Sequence, residues 1–597
     1  MDKDILQNLY KKPISSTRGG PLYMAFSYPT KISPEAIALF IATHTEPGDT
    51  VFDGFSGSGT TGLATLMCAF PTKELKEEAR RLQLPVKWGA RKAILYEIGT
   101  LGAFVSNNLC NPPDSKLFKK AANEILKKIN ESHGWMYSAK DPDGNIGQIR
   151  HIVWSDVIIC PNCSKKSLFW DDAVEVKPAK ILAKFKCNAC NKEVALSNAK
   201  RLTKLFHDSL TGQKKRQKVR KVAWVYGTTK GLNWSRPATK DDAELFKKIE
   251  ATKMPASAPI AEIKWGDLHR KGYHEGIKHL HDFYTIRNFA VMSALWEIIS
   301  KYPDNLKDAL KFWILSYNAS HSTLMTRVVA KTDQADLVVT GAQSGVLYVS
   351  GLPVEKNILT GLRRKLNVID RAFNAVHRIP GAVEVVQGSC TNINLENESV
   401  DYIFTDPPFG GYIPYSEINF INEAWLGRLT ETADEVIINK AQKKKLVDYQ
   451  DMMSKAFSEF SRILKKNKNA TIIFNSAESG VWSALKNAYQ SAGFQVKVTS
   501  ILNKTQGSFK QVTASGGVSS DPIILLSKTE NIKDEAPKCV WKVTESLIKS
   551  ANRDINSIEK TPQRLYSRLV NHYISHHNVV PIDAITFYKQ LSERYPV

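Results

Sequence analysis

The sequence predicts an α/β protein: a largely parallel, seven-stranded sheet covered by helices on both faces, split by a long insertion and followed by C-terminal helices. Three observations predict it. Strand and helix signals alternate up to about Asn111 and again from Val383. A glycine-rich turn, GFSGSG, joins a short apolar strand to a helix near the start of the chain. The stretch between the two alternating parts abandons the rhythm and holds two CxxC pairs. The strands divide two before the insertion and five after it.

Taken in order, Pro34 to Thr45 (PEAIALFIATHT) reads as an amphipathic helix, with Ser33 at its N-cap and Pro34 at the first helical position. EPGD is a turn, VFD a buried strand, and Thr60 to Phe70 a second helix. KELKEEARRL forms a helix with a solvated charged face, and AILYE the next strand. Beyond the insertion come the strands VEVVQG and VDYIFTD, a helix around Tyr449 to Leu464 and the strand ATIIFN. A helix from Val481 and the strands QVKVTSIL and DPIILLSK complete the pattern. The chain thus divides into a first α/β part (1–111), a cysteine-bearing recognition insertion (112–285), a helical part of that insertion (286–380), a second α/β part (381–530) and a helical segment (531–597). It contains no internal repeat and no low-complexity tract.

Eighty-two Lys and Arg against 59 Asp and Glu leave a formal charge of +23 on 597 residues. Such an excess concentrates polyanions at the surface, and nucleic acid responds most strongly because each neutralised phosphate releases a counterion. A hydrophobic fraction of 43% with 24% charged residues is that of a soluble globular protein. No uncharged apolar run reaches bilayer-spanning length, and MDKDILQNLYKK lacks the apolar stretch of a secretory signal. The expectation is a cytoplasmic protein with no membrane partner and with reduced thiols.

The turn in VFDGFSGSGTTGLA lets the backbone approach a ligand at Gly57 and Gly59 without a Cβ in the way. The helix that follows turns its free N–H groups toward the same crevice. No lysine follows the last glycine, which excludes a P-loop. Glu97 ends the next strand, where a carboxylate can accept both hydroxyls of a ribose.

VDYIFTDPPFGGY carries the most specific pattern, Asp406, Pro407, Pro408 and Phe409 after a strongly apolar strand. The two prolines fix φ and remove two N–H donors, leaving a rigid turn whose carbonyls are free to accept. A carboxylate oxygen of Asp406 and the Pro407 carbonyl suit the two hydrogens of an exocyclic amine. Drawing those hydrogens out of the ring plane localises the nitrogen lone pair and makes it nucleophilic toward a sulfonium methyl group. Phe409 suits stacking on a flipped base, worth ~1–3 kcal/mol, against an extraction cost of a few kcal/mol.

Cys160 and Cys163 (CPNC) and Cys187 and Cys190 (CNAC) have the spacing of a four-cysteine zinc ribbon. Four protein ligands fill a tetrahedral shell, so a Zn2+ there would be structural; two pairs disfavour a lone redox couple. The other cysteines, Cys68, Cys110, Cys390 and Cys539, read as small apolar residues. Downstream, Lys214, Lys215, Arg216, Lys218, Arg220 and Lys221 stand close to Trp224, Tyr226 and Trp234, a mixture suited to holding phosphates, with a solvated loop and strand as the alternative.

DGFSGSGTT resembles the cofactor motif DPFxGSGTT of amino-methyltransferases that act on DNA, and DPPF resembles their catalytic DPPY. FSYPTKISPEAIALFIATHTEPGD is similar to the segment preceding that cofactor motif. DPPFGGYIPYSEINFINEAWL is similar to the pattern of prokaryotic adenine-specific methylases that carry a zinc ribbon, and AFSEFSRILKKNKNATIIF to their following helix and strand. The likeness covers roughly residues 22–110 and 381–528, in the motif order of the α group. It implies a class I, Rossmann-like methyltransferase using S-adenosylmethionine, with double-stranded DNA as substrate and restriction–modification or phage defence, with further subunits of such a complex, as its setting. Within it, Asp53, Phe55, Gly57 and Gly59 would line the cofactor, Lys31 would lie near its methionine carboxylate, Glu97 would hold the ribose, and Asp406 to Phe409 would form the target pocket. Gly54 departs from the family's proline, and Ser389 stands where the family often has Asp, its hydroxyl taking over the contact to the cofactor's adenine. Asp before the two prolines favours adenine N6 over cytosine N4. An RNA amino-methyltransferase and a non-catalytic DNA-binding subunit of the same fold remain alternatives, while the absence of a Pro-Cys dipeptide argues against cytosine C5 chemistry.

Overall fold

A computed structural model describes residues 8–10, 15–16, 19–376, 379, 381–504, 521–528, 538–551, 557–576 and 578–595. The chain divides into two units: residues 1–112, 372–416 and 429–597 form the first, residues 113–371 and 417–428 the second.

In the first unit eight strands form one sheet: β1 (Ser15–Ser16), β2 (Thr50–Asp53), β3 (Lys92–Glu97), β4 (Val383–Gln387), β5 (Val400–Thr405), β6 (Leu464–Ile473), β7 (Phe494–Lys504) and β8 (Asp521–Lys528). Their order is β1-β7-β8-β6-β5-β2-β3-β4. Neighbours run parallel, except that β8 is antiparallel to both β6 and β7. Among the described residues the sheet therefore has eight strands where the sequence pattern predicts seven. The extra one, β1, pairs Ser15 with Asn503 through the backbone. Two serines have no apolar periodicity to announce a strand.

From β2 the chain builds outward to β3 and β4 on one side and then returns to β5 on the other. The carboxyl ends of β2 and β5 thus flank the point where strand order reverses, the place where open α/β sheets bind ligands. Side chains alternate across the sheet: Ile523 and Leu525 of β8 pack on one face, Ile524 and Leu526 on the other. Both faces are buried, which is why β8 reads as a continuous apolar run. Helix α1 (Pro34–His44) and helix α2 (Thr60–Ala69) cover the first face. Helices α3 (Leu446–Ile463) and α4 (Ser479–Ser491) cover the second, together with the C-terminal α5 (Val540–Ala551), α6 (Pro562–Ser575) and α7 (Ala584–Arg594). Leu565, Tyr566, Leu569 and Phe587 of these last helices belong to the sheet's own core.

The second unit is built on a fourteen-residue strand, Ile146–Ile159, paired antiparallel with Arg220–Thr229, Lys200–Arg201, Lys166–Leu168, Val354–Lys356 and Ser138–Lys140. Phe169, Trp170, Ala223, Leu352 and Val354 fill its core. The stretch 417–428, which its position in the sequence assigns to the second α/β part, belongs here instead. The Glu417 carboxylate accepts the amides of Asp267 and Leu268, both at 2.9 Å, and the Trp425 indole donates to the Tyr284 hydroxyl at 2.9 Å. Cys68, Cys110 and Cys390 are buried as expected of small apolar residues, but Cys539 is exposed. Among the described residues, no helix is long and apolar enough to cross a membrane.

Candidate active site

The glycine turn leaves β2 at Asp53 and enters α2 at Thr60. Gly57 and Gly59 have φ of +51° and +78°, a region that side chains disfavour. A Cβ on Gly59 would come within 2.9 Å of the Ser106 Cα, so backbone sterics demand glycine there twice over. The Glu97 carboxylate fastens the turn: one oxygen accepts the Gly57 amide and the other the Gly99 amide, each at 2.7 Å. Gly54 has a local explanation too, because a Cβ there would meet the Phe460 ring at 2.6 Å. The proline of the family motif would collide with the same ring.

Asp406 follows directly on β5, whose buried residues hold the turn at the sheet's carboxyl edge. Two contacts that sequence reasoning did not anticipate position it. The Thr405 hydroxyl donates to one Asp53 oxygen at 2.7 Å, while Thr61 donates to the other at 2.6 Å. The Phe55 amide also donates to Asp53, at 3.0 Å. Asp53 is therefore engaged by three groups of the protein and ties β2, β5 and α2 together. Burial, opposed by those hydrogen bonds, raises its carboxyl from 3.8 to about 6. The second contact is the Tyr449 hydroxyl, which donates to the Pro408 carbonyl at 2.6 Å. The signal for Tyr449 was available: a tyrosine on the buried stripe of α3, beside Met453, Phe457 and Phe460, needs a partner for its hydroxyl.

One cavity is lined by Lys31, Asp53, Phe55, Gly57, Glu97, Ser389, Asp406, Pro407, Pro408 and Phe409, together with Tyr28 and Tyr415. Gly59 is not part of that lining; it shapes the helix start behind it. The buried Lys31 ammonium donates to the Leu22 carbonyl at 2.9 Å and the Tyr23 carbonyl at 3.4 Å. The Ser389 hydroxyl lies 2.8 Å from that of Thr391. Phe409 stands edge-on to Phe474, with ring centres 5.3 Å apart. Tyr28 and Tyr415 stack at 6.0 Å, and the Tyr415 hydroxyl pairs with Thr30 at 3.1 Å. Burial raises the Tyr415 phenol, so its O–H stays protonated at neutral pH.

In the second unit the four predicted cysteines converge, with all four sulfurs within 4.8 Å of one another. Cys160 and Cys190 are 3.9 Å apart and Cys163 and Cys187 3.7 Å, too long for disulfides and equal to the ~3.8 Å edge of a tetrahedron with ~2.3 Å metal–sulfur bonds. The two knuckles repeat one backbone design. Ser164 and Asn191 each take positive φ and donate to the Cys160 and Cys187 carbonyls, while the Cys160 and Cys187 amides donate to Lys165 and Lys192. That design turns both thiols of a pair to one side.

The basic stretch divides. Lys214, Arg216 and Lys221 are exposed, and Lys218 and Arg220 partly so. Lys215 is buried: its ammonium bonds Asp208 at 2.6 Å, Asp282 at 2.5 Å and the His281 ring at 3.2 Å. Arg220 is ion-paired with Asp156 at 2.9 Å. Lys215 is thus committed to the fold, which corrects its assignment as a phosphate contact, while Arg220 stays partly exposed beside its ion pair. Alternation along a strand explains it, since Lys214 and Arg216 face outward where Lys215 faces in. Asp208, His279 and His281 also cluster as metal ligands would, but the Lys215 ammonium supplies the positive charge to that cluster.

Burial and cysteine geometry aside, comparison with known proteins bears on the first unit. No curated protein matches the chain. A solved structure, the antibiotic-resistance methyltransferase Kmr, is similar over 27% of this chain and 73% of its own, at 11% identity and a TM-score of 0.15. Residues 3–69, which include the glycine turn, match the family model N6_N4_Mtase, DNA methylase, and this supports a DNA methyltransferase of the N6 or N4 type.

Proposed function

We propose that this protein transfers a methyl group from S-adenosylmethionine to the N6 amine of an adenine flipped out of double-stranded DNA. The observation that carries the proposal is the lining of one cavity by both the Gly57–Glu97 loop and the Asp406–Phe409 turn. The cofactor fits the residues present: two positive-φ glycines keep side chains out of the crevice, α2 opens toward it, and the Glu97 carboxylate lines the same cavity, where it would face the ribose hydroxyls. Lys31, Phe55 and Ser389 would complete its surroundings, and Asp53 would act through Thr405 rather than by direct contact. When bound, S-adenosylmethionine supplies an electrophilic methyl group on a sulfonium.

The chain's own residues do the rest. Asp406 and the Pro407 carbonyl accept the two amine hydrogens and orient the nitrogen lone pair. Tyr449 holds the Pro408 carbonyl and thereby the turn. Phe409 offers its ring to the flipped base. The proton released from the amine passes to Asp406 or to water. Asp at position 406 favours adenine over cytosine. The four cysteines would hold a structural Zn2+ in the second unit, and a role in restriction–modification or phage defence, with further subunits, follows from the family resemblance.

Nucleoside mass spectrometry on DNA from cells expressing the chain or its Asp406→Ala variant tests the proposal. N6-methyladenine should accumulate with the first and be absent with the second. Methyl groups on cytosine N4, or on RNA alone, would replace adenine DNA as the substrate.

A further inference from the structure

Residues Thr203–His207 and Lys214–Lys218 form a two-stranded antiparallel ribbon separate from the main sheet of the second unit. Directly opposed residues share a face, so Leu205 with Arg216 and His207 with Lys214 lie on one side, Phe206 with Lys215 and Lys204 with Gln217 on the other. The two sides differ along Lys214–Lys218, while Lys204 and Phe206 of the partner strand are exposed as well. On the first, His207, Lys214 and Arg216 are exposed, and Leu205 is 61% exposed. On the second, Lys215 is buried against Asp208 and Asp282, and the Gln217 amide donates to Asp282 at 2.7 Å. Gly276 presses on the same ribbon, since a Cβ there would lie 2.7 Å from the Arg216 carbonyl. The inner side is thus anchored through Lys215 and Gln217, and the outer side carries Lys214 and Arg216, the latter donating to the Thr203 hydroxyl at 3.2 Å, around the exposed Leu205. From Lys200 to Lys221 the sequence holds nine Lys and Arg and one acid, Asp208, which Lys215 neutralises.

We propose that the outer side of this ribbon is a duplex-DNA contact, with Lys214 and Arg216 on phosphates or base edges and Leu205 against the bases in the groove. Five paired positions span roughly 17 Å, and a two-stranded ribbon is a known fit to a major groove about 12 Å wide. The deep, narrow major groove of double-stranded RNA excludes side chains, which selects DNA over an RNA duplex. The inference rests on DNA being the substrate and names the element that grips it. Lys215, the centre of the basic run, is not a contact; it is the peg that sets the ribbon's orientation.

Fluorescence anisotropy of the full chain with a mixed-sequence 30-base-pair duplex (~30, long enough for several groove turns) tests it across a salt series. Lys214→Ala with Arg216→Ala should weaken binding roughly tenfold and lower the salt slope by about 2, one per lost phosphate contact. Leu205→Ala should weaken binding without changing the slope. The exposed control pair Lys247→Ala, on a helix, with Lys301→Ala, in a turn, removes equal charge and should change affinity less than about twofold. Unchanged affinity and slope in the ribbon variant, an equal loss in the control pair, or tighter binding to an RNA duplex than to DNA would each overturn the inference. Nucleoside mass spectrometry separates the two readings: absent methylation with ribbon-dependent binding removes the enzymatic proposal alone, and methylation with ribbon-independent binding removes this one alone.

Discussion

The Thr405 hydroxyl donates a 2.7 Å hydrogen bond to the Asp53 carboxylate, joining the last residue of one central strand to the last residue of its neighbour. Asp406 is the next residue along. Thr405→Val keeps the shape and removes the donor, leaving a buried acceptor short of a partner at a cost of ~1–3 kcal/mol. Its kcat for methyl transfer is expected to fall about tenfold, since small misplacements near the reacting atoms are costly, while Thr405→Ser restores most of it. Steady-state assays with labelled methyl donor check this, and equal kcat in all three proteins would remove Thr405 from the positioning of Asp406.

Asp53 also sets a pH dependence. Burial raises its carboxyl from 3.8 to about 6. The folded protein therefore favours the protonated form, and that contribution is full below 3.8 and lost as pH rises through about 6. The shift corresponds to roughly 3 kcal/mol. Denaturant unfolding of the wild type and Asp53→Asn should show the wild type losing up to that much relative to the variant between about pH 4 and about pH 7. A gap that does not vary with pH contradicts the assignment.

Gly54 and Phe460 form a steric pair. Gly54→Ala alone should destabilise the first unit by about 1–3 kcal/mol through overpacking. Combined with Phe460→Leu, which withdraws the ring, it should cost less than the two single changes added together. A double-mutant cycle reads the coupling, and strict additivity would show that the ring moves aside without cost.

For the four cysteines, one equivalent of zinc should be released on thiol modification and detected with a metal-binding dye. Cys163→Ser is expected to lower zinc content and to raise amide exchange within residues 160–196, leaving cofactor binding measured by calorimetry unchanged. Full exchange protection in a zinc-free protein would make the cluster independent of metal.

Lys215 offers the sharpest contrast with a surface cation. Lys215→Met leaves Asp208 and Asp282 buried without their counter-charge, and breaking such a pair costs ~3–5 kcal/mol. Lys214→Met, one residue away and exposed, should change stability by less than about 0.5 kcal/mol. Equal stability of the two variants in thermal unfolding would place Lys215 outside the core.

The sheet was legible because β2, β5, β8 and the second half of β6 are apolar runs, whereas the first half of β6, LKKNKN, carries no such signal; the cavity was legible because glycines, Glu97 and the Asp406 turn sit at strand ends. What escaped depended on tertiary partners. β1 is a backbone pairing of two serines with no hydrophobic signal. The inward direction of Lys215 is set by strand register in a run of cations where every neighbour looks alike. The helix within residues 417–428 is buried all round from Phe420 to Trp425, and only Asp267, Leu268 and Tyr284 reveal which core it serves. Asp53 lines the cavity as expected of it, but its hold on Thr405 and Thr61 is visible only once those hydroxyls are beside it.

Val51 pairs with Tyr402, so the middle of the first unit's sheet is assembled from chain segments separated by the whole insertion. During synthesis β2 and β3 leave the ribosome long before β5 exists to pair with them. The face that α1 and α2 leave bare waits uncovered while the insertion is made, which marks nascent chains ending before β5 as natural clients of chaperones and as poor candidates for expression on their own.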